Sequence, residues 1–249
     1  MSVIAGNWKM HHGPAETRAF FEGLALDEVD EEHEVVIFPP TISLSDAVRA
    51  SERLPRVALG VQHIHWEDEG AFTGETSARM ARDAGATFVL VGHSERRHVF
   101  GETDEEVRNK VEAAIRHELT PVVCVGETLE ERRAGRVEDV ILRQLGFVLP
   151  ALAHEGVRFL VAYEPVWAIG TGETATPDDA AAAHATLRGC LEDGVGVAGA
   201  PNVPILYGGS VKPANAAALL AAQDVDGVLV GGASFDPGSF AAIGAAASR

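Results

Sequence analysis

Three side chains that could hold charge or transfer a proton stand at the ends of short apolar runs. Lys9, His93 and Glu164 are far apart in the chain, and each closes a different run. An ammonium, an imidazole and a carboxylate are groups that stabilise an anion or exchange a proton with a substrate. If the runs are parallel strands whose carboxyl ends converge, the three groups face one pocket.

Two glycine-rich turns follow later apolar runs. Gly208-Gly209-Ser210 comes after the seventh run, and Gly231-Gly232 comes after the eighth. Glycine has no Cβ, so its backbone N–H group can approach an oxyanion closely. In α/β barrels the turns after strands seven and eight commonly bind phosphate. The pattern therefore predicts a site for a small anion in the same pocket.

The elements that would position these groups are short strands that alternate with longer amphipathic segments. The apolar runs are rich in Val, Ile, Leu and Phe, as in parallel strands covered by helices, and they occupy 3–9, 34–38, 57–62, 88–93, 121–126, 159–164, 204–208 and 227–231. Eight strand–helix units in 249 residues repeat about every 30 residues. We therefore expect α/β architecture: a single (β/α)8 TIM barrel, with residues 1–249 as one domain.

An open, doubly wound sheet is the structural alternative. Such a sheet usually carries a Gly-x-Gly-x-x-Gly turn after its first strand. Here the first strand leads into Gly6-Asn7-Trp8-Lys9-Met10 instead, which favours the barrel.

Helix start signals fit the same division of the chain. Residues 105–118 and 137–152 place apolar side chains at helical spacing. Thr103, with Glu106 three residues later, matches a capping box, and Thr176-Pro177 matches an N-cap followed by a first-turn proline. Ser94 is expected to begin a short helix directly after His93.

Composition excludes some classes of partner. The formal net charge is −17, and such a field repels nucleic acid and anionic membrane surfaces. No uncharged apolar run approaches the roughly 20 residues that span a bilayer, and the first residues do not read as a signal peptide. We expect a cytoplasmic, soluble protein that binds an anion only at a locally positive pocket.

Five segments in register resemble the signature segments of the triosephosphate isomerase family. They run in the family's order from residue 3 to about residue 234, and they include Gly6–Met10, Gly92–Arg97, Ala162–Gly172, Tyr207–Val211 and Val230–Ser234. The resemblance implies a glycolytic and gluconeogenic isomerase without a cofactor. Its reaction interconverts dihydroxyacetone phosphate and D-glyceraldehyde 3-phosphate through an enediolate.

The resemblance also implies a role for each matched residue. Glu164 corresponds to the base that removes the proton, while His93, Lys9 and Asn7 correspond to donors to the substrate oxygens. Glu95 corresponds to a buried carboxylate near the lysine, which we expect to orient Lys9 and balance its charge. A positive helix end beside His93 would keep its ring neutral.

Phosphate binding is assigned to a second set of matched positions. The family pattern implies contacts from Asn7, Lys9, Gly170, Ser210, Gly231 and Gly232. The helix that begins near residues 235–237 is expected to add its N-terminal end. Residues 165–176 resemble a lid that closes over the substrate and expels water.

A loop at residues 70–75 resembles the family's interdigitating dimer loop. Thr73 would approach Asn7 and Lys9 of a neighbouring subunit, and Glu75 would pair with Arg96 across the interface. The resemblance therefore implies a homodimer.

Three other interpretations stay open from the residues alone. His63 and His65 form an H-x-H pattern that could hold a metal if both lay on one strand face, although the implied chemistry needs none. Lys9 could serve a Schiff-base sugar-phosphate aldolase. The chain could also be a non-catalytic sugar-phosphate-binding barrel, which would normally lack the base or the lid.

Overall fold

Eight parallel strands close into a barrel in chain order in a computed structural model that describes residues 1–169 and 175–247. The strands are β1 Val3–Asn7, β2 Glu34–Phe38, β3 Val57–Val61, β4 Phe88–Val91, β5 Thr120–Val125, β6 Leu160–Tyr163, β7 Ile205–Tyr207 and β8 Gly227–Val230. β1 pairs with both β2 and β8, with Val3 opposite Glu34 and Gly227. This closure confirms the (β/α)8 TIM barrel, and an open sheet is wrong.

Helices cover the outside of the barrel. They are α1 Pro14–Gly23, α2 Leu44–Ser51, α3 Ala78–Asp83, α4 Ser94–His98, α5 Asp104–Arg116, α6 Leu129–Arg133, α7 Val137–Leu152, α8 Pro177–Val195, α9 Pro213–Leu220 and α10 Pro237–Ala246. Within the described ranges, none of them has the length and apolar character needed to cross a membrane. The capping predictions are confirmed, because Thr103 and Thr176 each accept a hydrogen bond from the third residue of the following helix.

Alternation along the strands divides the core into two layers. Inward-facing side chains such as Val3 and Ala5 fill the barrel interior, while outward-facing side chains such as Ile4 pack under the helices. Each fully buried Val, Leu, Ile or Phe side chain contributes about 1.5–3 kcal/mol. Because the strand period is two, the inward series continues from Ala5 to Asn7, the last residue of β1, and from Ala162 to Glu164, the residue after β6. Packing of the interior thus aims these side chains at the mouth.

Candidate active site

The predicted groups meet in a cavity of about 630 Å³ at the carboxyl ends of the strands. Of the residues expected from the sequence, its lining includes Asn7, Lys9, His93, Glu164, Ser210, Gly231 and Gly232. Glu95 borders an adjoining cavity that also contains Lys9 and His93. Gly170 and the rest of residues 170–174 lie outside the described part of the chain, so the expectation for Gly170 stays a prediction.

Glu164 is a buried carboxylate with two hydrogen-bond partners in the resting site. Its Oε1 lies 2.9 Å from Nε2 of His93, and its Oε2 accepts from the backbone N–H of Ser94 at 2.8 Å. Burial by itself would raise the pKa of Glu164, but the neighbouring imidazole, the Ser94 amide and the charge of Lys9 hold that pKa below its usual value. The resting carboxylate is therefore satisfied and weakly basic.

His93 caps the short helix α4, which begins at Ser94 as the sequence predicted. Its Nδ1 accepts a hydrogen bond from the backbone N–H of Glu95 at 3.2 Å. A backbone N–H can only donate, so Nδ1 is bare and the neutral ring holds its hydrogen on Nε2. Burial lowers the pKa of His93, but the Glu164 carboxylate outweighs it and raises that pKa. This rise depends on Glu164 remaining beside the ring.

Lys9 lies beyond β1, not on it. The strand ends at Asn7, and Lys9 takes a left-handed backbone conformation with φ of +50°. The expectation that the first strand extends over residues 3–9 is thus wrong at its end, and strand alternation does not orient Lys9. Instead, Asn7 Oδ1 accepts from the Lys9 backbone N–H at 2.9 Å, and Gln62 Nε2 donates to the Lys9 carbonyl at 2.9 Å. Sequence reasoning missed Gln62, although it is the inward-facing residue after β3.

Glu95 contacts Lys9 but is not buried in the single chain. Its Oε1 lies 2.5 Å from the Lys9 ammonium, while 45% of its side chain is exposed. The expected burial is therefore wrong for one chain. The physical reason is position: Glu95 stands in the first turn of α4 at the outer rim, close to exposed Met10 and Phe100.

A short turn after β8 carries the glycines expected to bind phosphate. The backbone N–H of Ser234 bonds to the Gly231 carbonyl at 2.8 Å, and that of Phe235 bonds to the Gly232 carbonyl at 3.2 Å. The first N–H groups of such a turn have no partner inside it and point away from it. A Cβ on Gly231 would lie 3.5 Å from Lys9 Cε, so this turn and the lysine are adjacent.

The helix expected to aid phosphate binding is already capped. Asp236 Oδ1 accepts from the Ser239 backbone N–H at 2.8 Å at the start of α10. A carboxylate therefore occupies the positive end of this helix. The cap satisfies one N–H group of α10, while Ser239 still lines the main cavity. The expectation that α10 presents its N-terminus to the phosphate therefore stays a prediction.

Two further glycines permit the position of Glu164. A Cβ on Gly126 would lie 1.8 Å from the Glu164 carbonyl oxygen, and one on Gly208 would lie 2.9 Å from Glu164 Cγ. The buried side chain of Gln144 bonds to the Gly126 backbone N–H at 2.8 Å. These supporting roles were not predicted from the sequence. The only sign of them in the sequence is that Gly126 and Gly208 fall at inward-facing positions directly after β5 and β7.

The first residues of the expected lid contact the end of β5. Trp167 Nε1 donates to Glu127 Oε1 at 2.7 Å, and the Tyr163 hydroxyl lies 3.1 Å from the same carboxylate. The Arg132 guanidinium lies over the Trp167 ring at 4.3 Å. Ile169 lines the main cavity.

The residues expected at a dimer interface occupy one exposed groove. Thr73 is exposed, Glu75 lies 2.6 Å from His63 Nε2, and Arg96 bonds to Glu102 at 3.2 Å, all within the same chain. The expected pairing of Glu75 with Arg96 between subunits stays a prediction.

The two histidines proposed as metal ligands follow β3 instead of lying on it, so strand alternation does not place them on one face. His63 contacts Glu75, whereas His65 accepts from the Glu67 backbone N–H and stacks on Trp66. Over residues 1–169 and 175–247, no group of three or more His, Cys, Asp or Glu residues is arranged to hold a metal ion.

The fold and the site together define a class: an acid–base enzyme on a (β/α)8 barrel, with a mouth suited to a small anion. A family model described as Triosephosphate isomerase matches residues 2–247. Relatives named triosephosphate isomerase include those of Symbiobacterium thermophilum, 50% identical over 249 residues, and Solibacter usitatus, 49% identical over 243 residues. The first alignment covers 99% of this chain and 97% of the relative, and the second covers 97% of each. The chain belongs to the triosephosphate isomerase family.

Proposed function

We infer that this chain interconverts dihydroxyacetone phosphate and D-glyceraldehyde 3-phosphate by proton transfer through an enediolate. One observation carries the assignment of roles: Glu164 and His93 come from different strand ends and meet at 2.9 Å in the mouth that also contains Lys9. A base, a neutral donor and a cation are the groups that enolisation beside a carbonyl requires.

Proton transfer begins when Glu164 leaves its two resting partners. Its carboxylate then takes a proton from the carbon beside the carbonyl, and the electron pair moves onto the carbonyl oxygen. His93 Nε2–H, no longer held by Glu164, donates to that oxygen, and the Lys9 ammonium stabilises its charge. The hydrogen of the neighbouring hydroxyl group then passes through His93 to the former carbonyl oxygen, and Glu164 returns its proton to the former carbonyl carbon. This gives the isomeric product and leaves the enzyme unchanged.

Phosphate recognition is assigned to the turns after β7 and β8 and to Lys9. Backbone N–H groups at Gly231, Gly232 and Ser210 bind the anion together with Lys9. Gly170, which lies outside the described residues, stays a predicted further ligand. The position of Lys9 supports this assignment, because its Cε lies 3.5 Å from where a Cβ on Gly231 would stand, which puts a cation near the bare amides. In this strongly acidic protein, the local cation supplies the attraction that the overall charge opposes.

The aldolase alternative conflicts with the state of Lys9. Its nitrogen lies 2.5 Å from the Glu95 carboxylate, and the lysine cannot attack a carbonyl while it is held in this ion pair. Glu95 is thus assigned to orient Lys9 and balance its charge. The non-catalytic alternative leaves the buried Glu164–His93 pair without a purpose.

We also propose a cytoplasmic homodimer. Large apolar side chains are exposed near the predicted dimer loop, and they are Met10, Phe72, Val99 and Phe100. A second copy of the loop that carries Thr73 would cover them and the exposed side of Glu95. Sedimentation equilibrium is expected to give twice the 26.3 kDa chain mass, and a monomer at micromolar concentration would refute the dimer. Triose phosphates are charged and do not cross membranes unaided, so we place the enzyme in the cytoplasm together with its substrate.

A coupled assay tests the function. Purified enzyme is given dihydroxyacetone phosphate, and glyceraldehyde 3-phosphate is followed with a dehydrogenase, with and without EDTA. We expect the same rapid turnover in both arms. Absence of isomerisation in both arms would refute the proposed reaction, and loss with EDTA alone would show that a metal takes part.

A further inference from the structure

His12 has a backbone conformation that non-glycine residues rarely adopt. Its φ is +65°, three residues after Lys9, which has φ of +50°. A side chain at such a φ carries a steric cost, and the conformation persists only where surrounding contacts over-determine it. The contacts of His12 therefore indicate which part of the structure requires this backbone conformation.

Three elements hold His12 in this conformation. The Ser43 hydroxyl donates to the His12 carbonyl at 2.7 Å, and the ring packs edge-on against Trp8 with centroids 4.8 Å apart. His12 Nε2 lies 2.9 Å from the carbonyl oxygen of Phe235. A carbonyl can only accept, so Nε2 holds the hydrogen and donates it.

The partner of His12 closes the turn that carries the proposed phosphate amides. The Phe235 backbone N–H bonds to the Gly232 carbonyl, and Trp8 Nε1 donates to the preceding carbonyl, that of Ser234, at 3.0 Å. Two consecutive carbonyls of this turn are thus held by Trp8 and His12. Trp8 and His12 lie on either side of Lys9 in the chain, so their hydrogen bonds connect the turn after β8 to the segment that carries the lysine.

We propose that His12 is a positioning residue for phosphate binding. Its left-handed backbone brings Nε2 to the Phe235 carbonyl, and this bond fixes the Gly231 and Gly232 amides relative to the Lys9 ammonium. The proposal rests on the proposed function and adds a determinant of substrate specificity outside the groups that touch substrate. His11 supports the same turn from the rim, where its ring lies against that of Phe235 at 4.3 Å.

Two substitutions separate the hydrogen bond from the backbone conformation. His12→Gln places an amide N–H at the reach of Nε2 and keeps the bond. His12→Asn tolerates positive φ better but is too short to reach the carbonyl. The measurements are the Ki of inorganic phosphate, kcat and KM for dihydroxyacetone phosphate, and kcat/KM for unphosphorylated glyceraldehyde, with Tm recorded for each protein.

We expect His12→Asn to raise the Ki of phosphate by about fivefold, the change that net loss of one hydrogen bond produces. The ratio of kcat/KM for phosphorylated over unphosphorylated substrate is expected to fall by a similar factor. His12→Gln is expected to stay within about twofold of the parent in both quantities.

Three results would overturn the proposal. They are an unchanged phosphate Ki in His12→Asn, an equal loss on both substrates, and equal losses in the Gln and Asn variants that follow Tm. The proposed function fails separately. A parent enzyme that neither isomerises the triose phosphate nor binds phosphate would refute that function, whereas an active parent with unaffected variants would refute only the role of His12.

Discussion

Replacing Gly126 with Ala should displace Glu164, the proposed catalytic base. Gly126 is buried after β5, and a Cβ there would lie 1.8 Å from the carbonyl oxygen of Glu164 and 2.6 Å from its carbonyl carbon. Both clashing atoms are backbone, so no side-chain rotation relieves the contact. The Glu164 backbone N–H also bonds to the Val125 carbonyl at 2.7 Å, which ties the two strand ends together.

The size of the displacement follows from the geometry. Real Cβ contacts do not fall below 3.0 Å, so the distance must grow from 1.8 Å by about 1.2 Å. Misplacing a catalytic group by ~1 Å can reduce the rate about 100-fold. We therefore expect kcat to fall about 100-fold, with a loss of about 1–3 kcal/mol in unfolding free energy from overpacking. KM should change little, because the proposed phosphate ligands among the described residues follow β1, β7 and β8, whereas the clash lies between β5 and β6.

Steady-state kinetics and urea unfolding test this prediction, with Gly146→Ala as the matched control. Gly146 lies in α7, and a Cβ there would meet no atom within 4 Å. Because glycine is unfavourable inside a helix, the control should be fully active and more stable by about 0.5–1 kcal/mol. A Gly126→Ala enzyme with kcat within about threefold of the parent would show that this contact does not set the position of Glu164.

Three further perturbations test the site and the fold. Glu164→Asp retracts the carboxylate by about one bond and should lower kcat at least 100-fold in the coupled assay with Tm unchanged; a tenfold or smaller loss would remove Glu164 as the base. Glu102→Gln leaves the Lys110 ammonium, 3.0 Å away and also buried, without its counter-charge. It should cost about 3 kcal/mol or more in urea unfolding, and adding Lys110→Met should restore part of that loss if the buried charge is the cause. Burial lowers the pKa of His184 to about 4, whereas the unfolded chain binds this proton near pH 6.5. The unfolded state therefore takes up the proton first as pH falls, and stability should drop by up to about 3 kcal/mol between pH 6.5 and 4. His184→Asn should flatten that part of the profile, and an unchanged slope would contradict the assignment.

The barrel could be predicted because its signals are local. Runs of β-branched and apolar residues identified all eight strands. The bounds of the strand Glu34–Phe38 and of the helix Val137–Leu152 were predicted without error. The prediction failed mainly at the carboxyl ends, where strands were drawn through Lys9, His93 and Glu164. At the mouth of the barrel the backbone stops pairing with neighbouring strands and forms turns. The types of the side chains do not indicate at which residue strand pairing ends.

The supporting contacts of the site could not be predicted because they join distant segments. The amide of Gln62 holds the Lys9 carbonyl from 53 residues away, and Gly126 makes room for a backbone atom of another strand. A local sequence pattern carries no information about contacts between segments that are so far apart in the chain. The exposed side of Glu95 was missed for a related reason, since burial at a rim depends on everything packed against it, including other chains.

The resting geometry also constrains where the free energy for activation comes from. Glu164 must give up hydrogen bonds to His93 and Ser94 before it can act as a base. Bonds to charged groups contribute about 1.5–3 kcal/mol each, so releasing both is costly. The reacting carbons of a triose offer little binding energy, whereas the proposed site gives the phosphate several charge-assisted contacts. Binding energy at the phosphate must therefore offset the release of Glu164. Under this argument an unphosphorylated substrate loses kcat as well as affinity, because Glu164 more often stays with its resting partners.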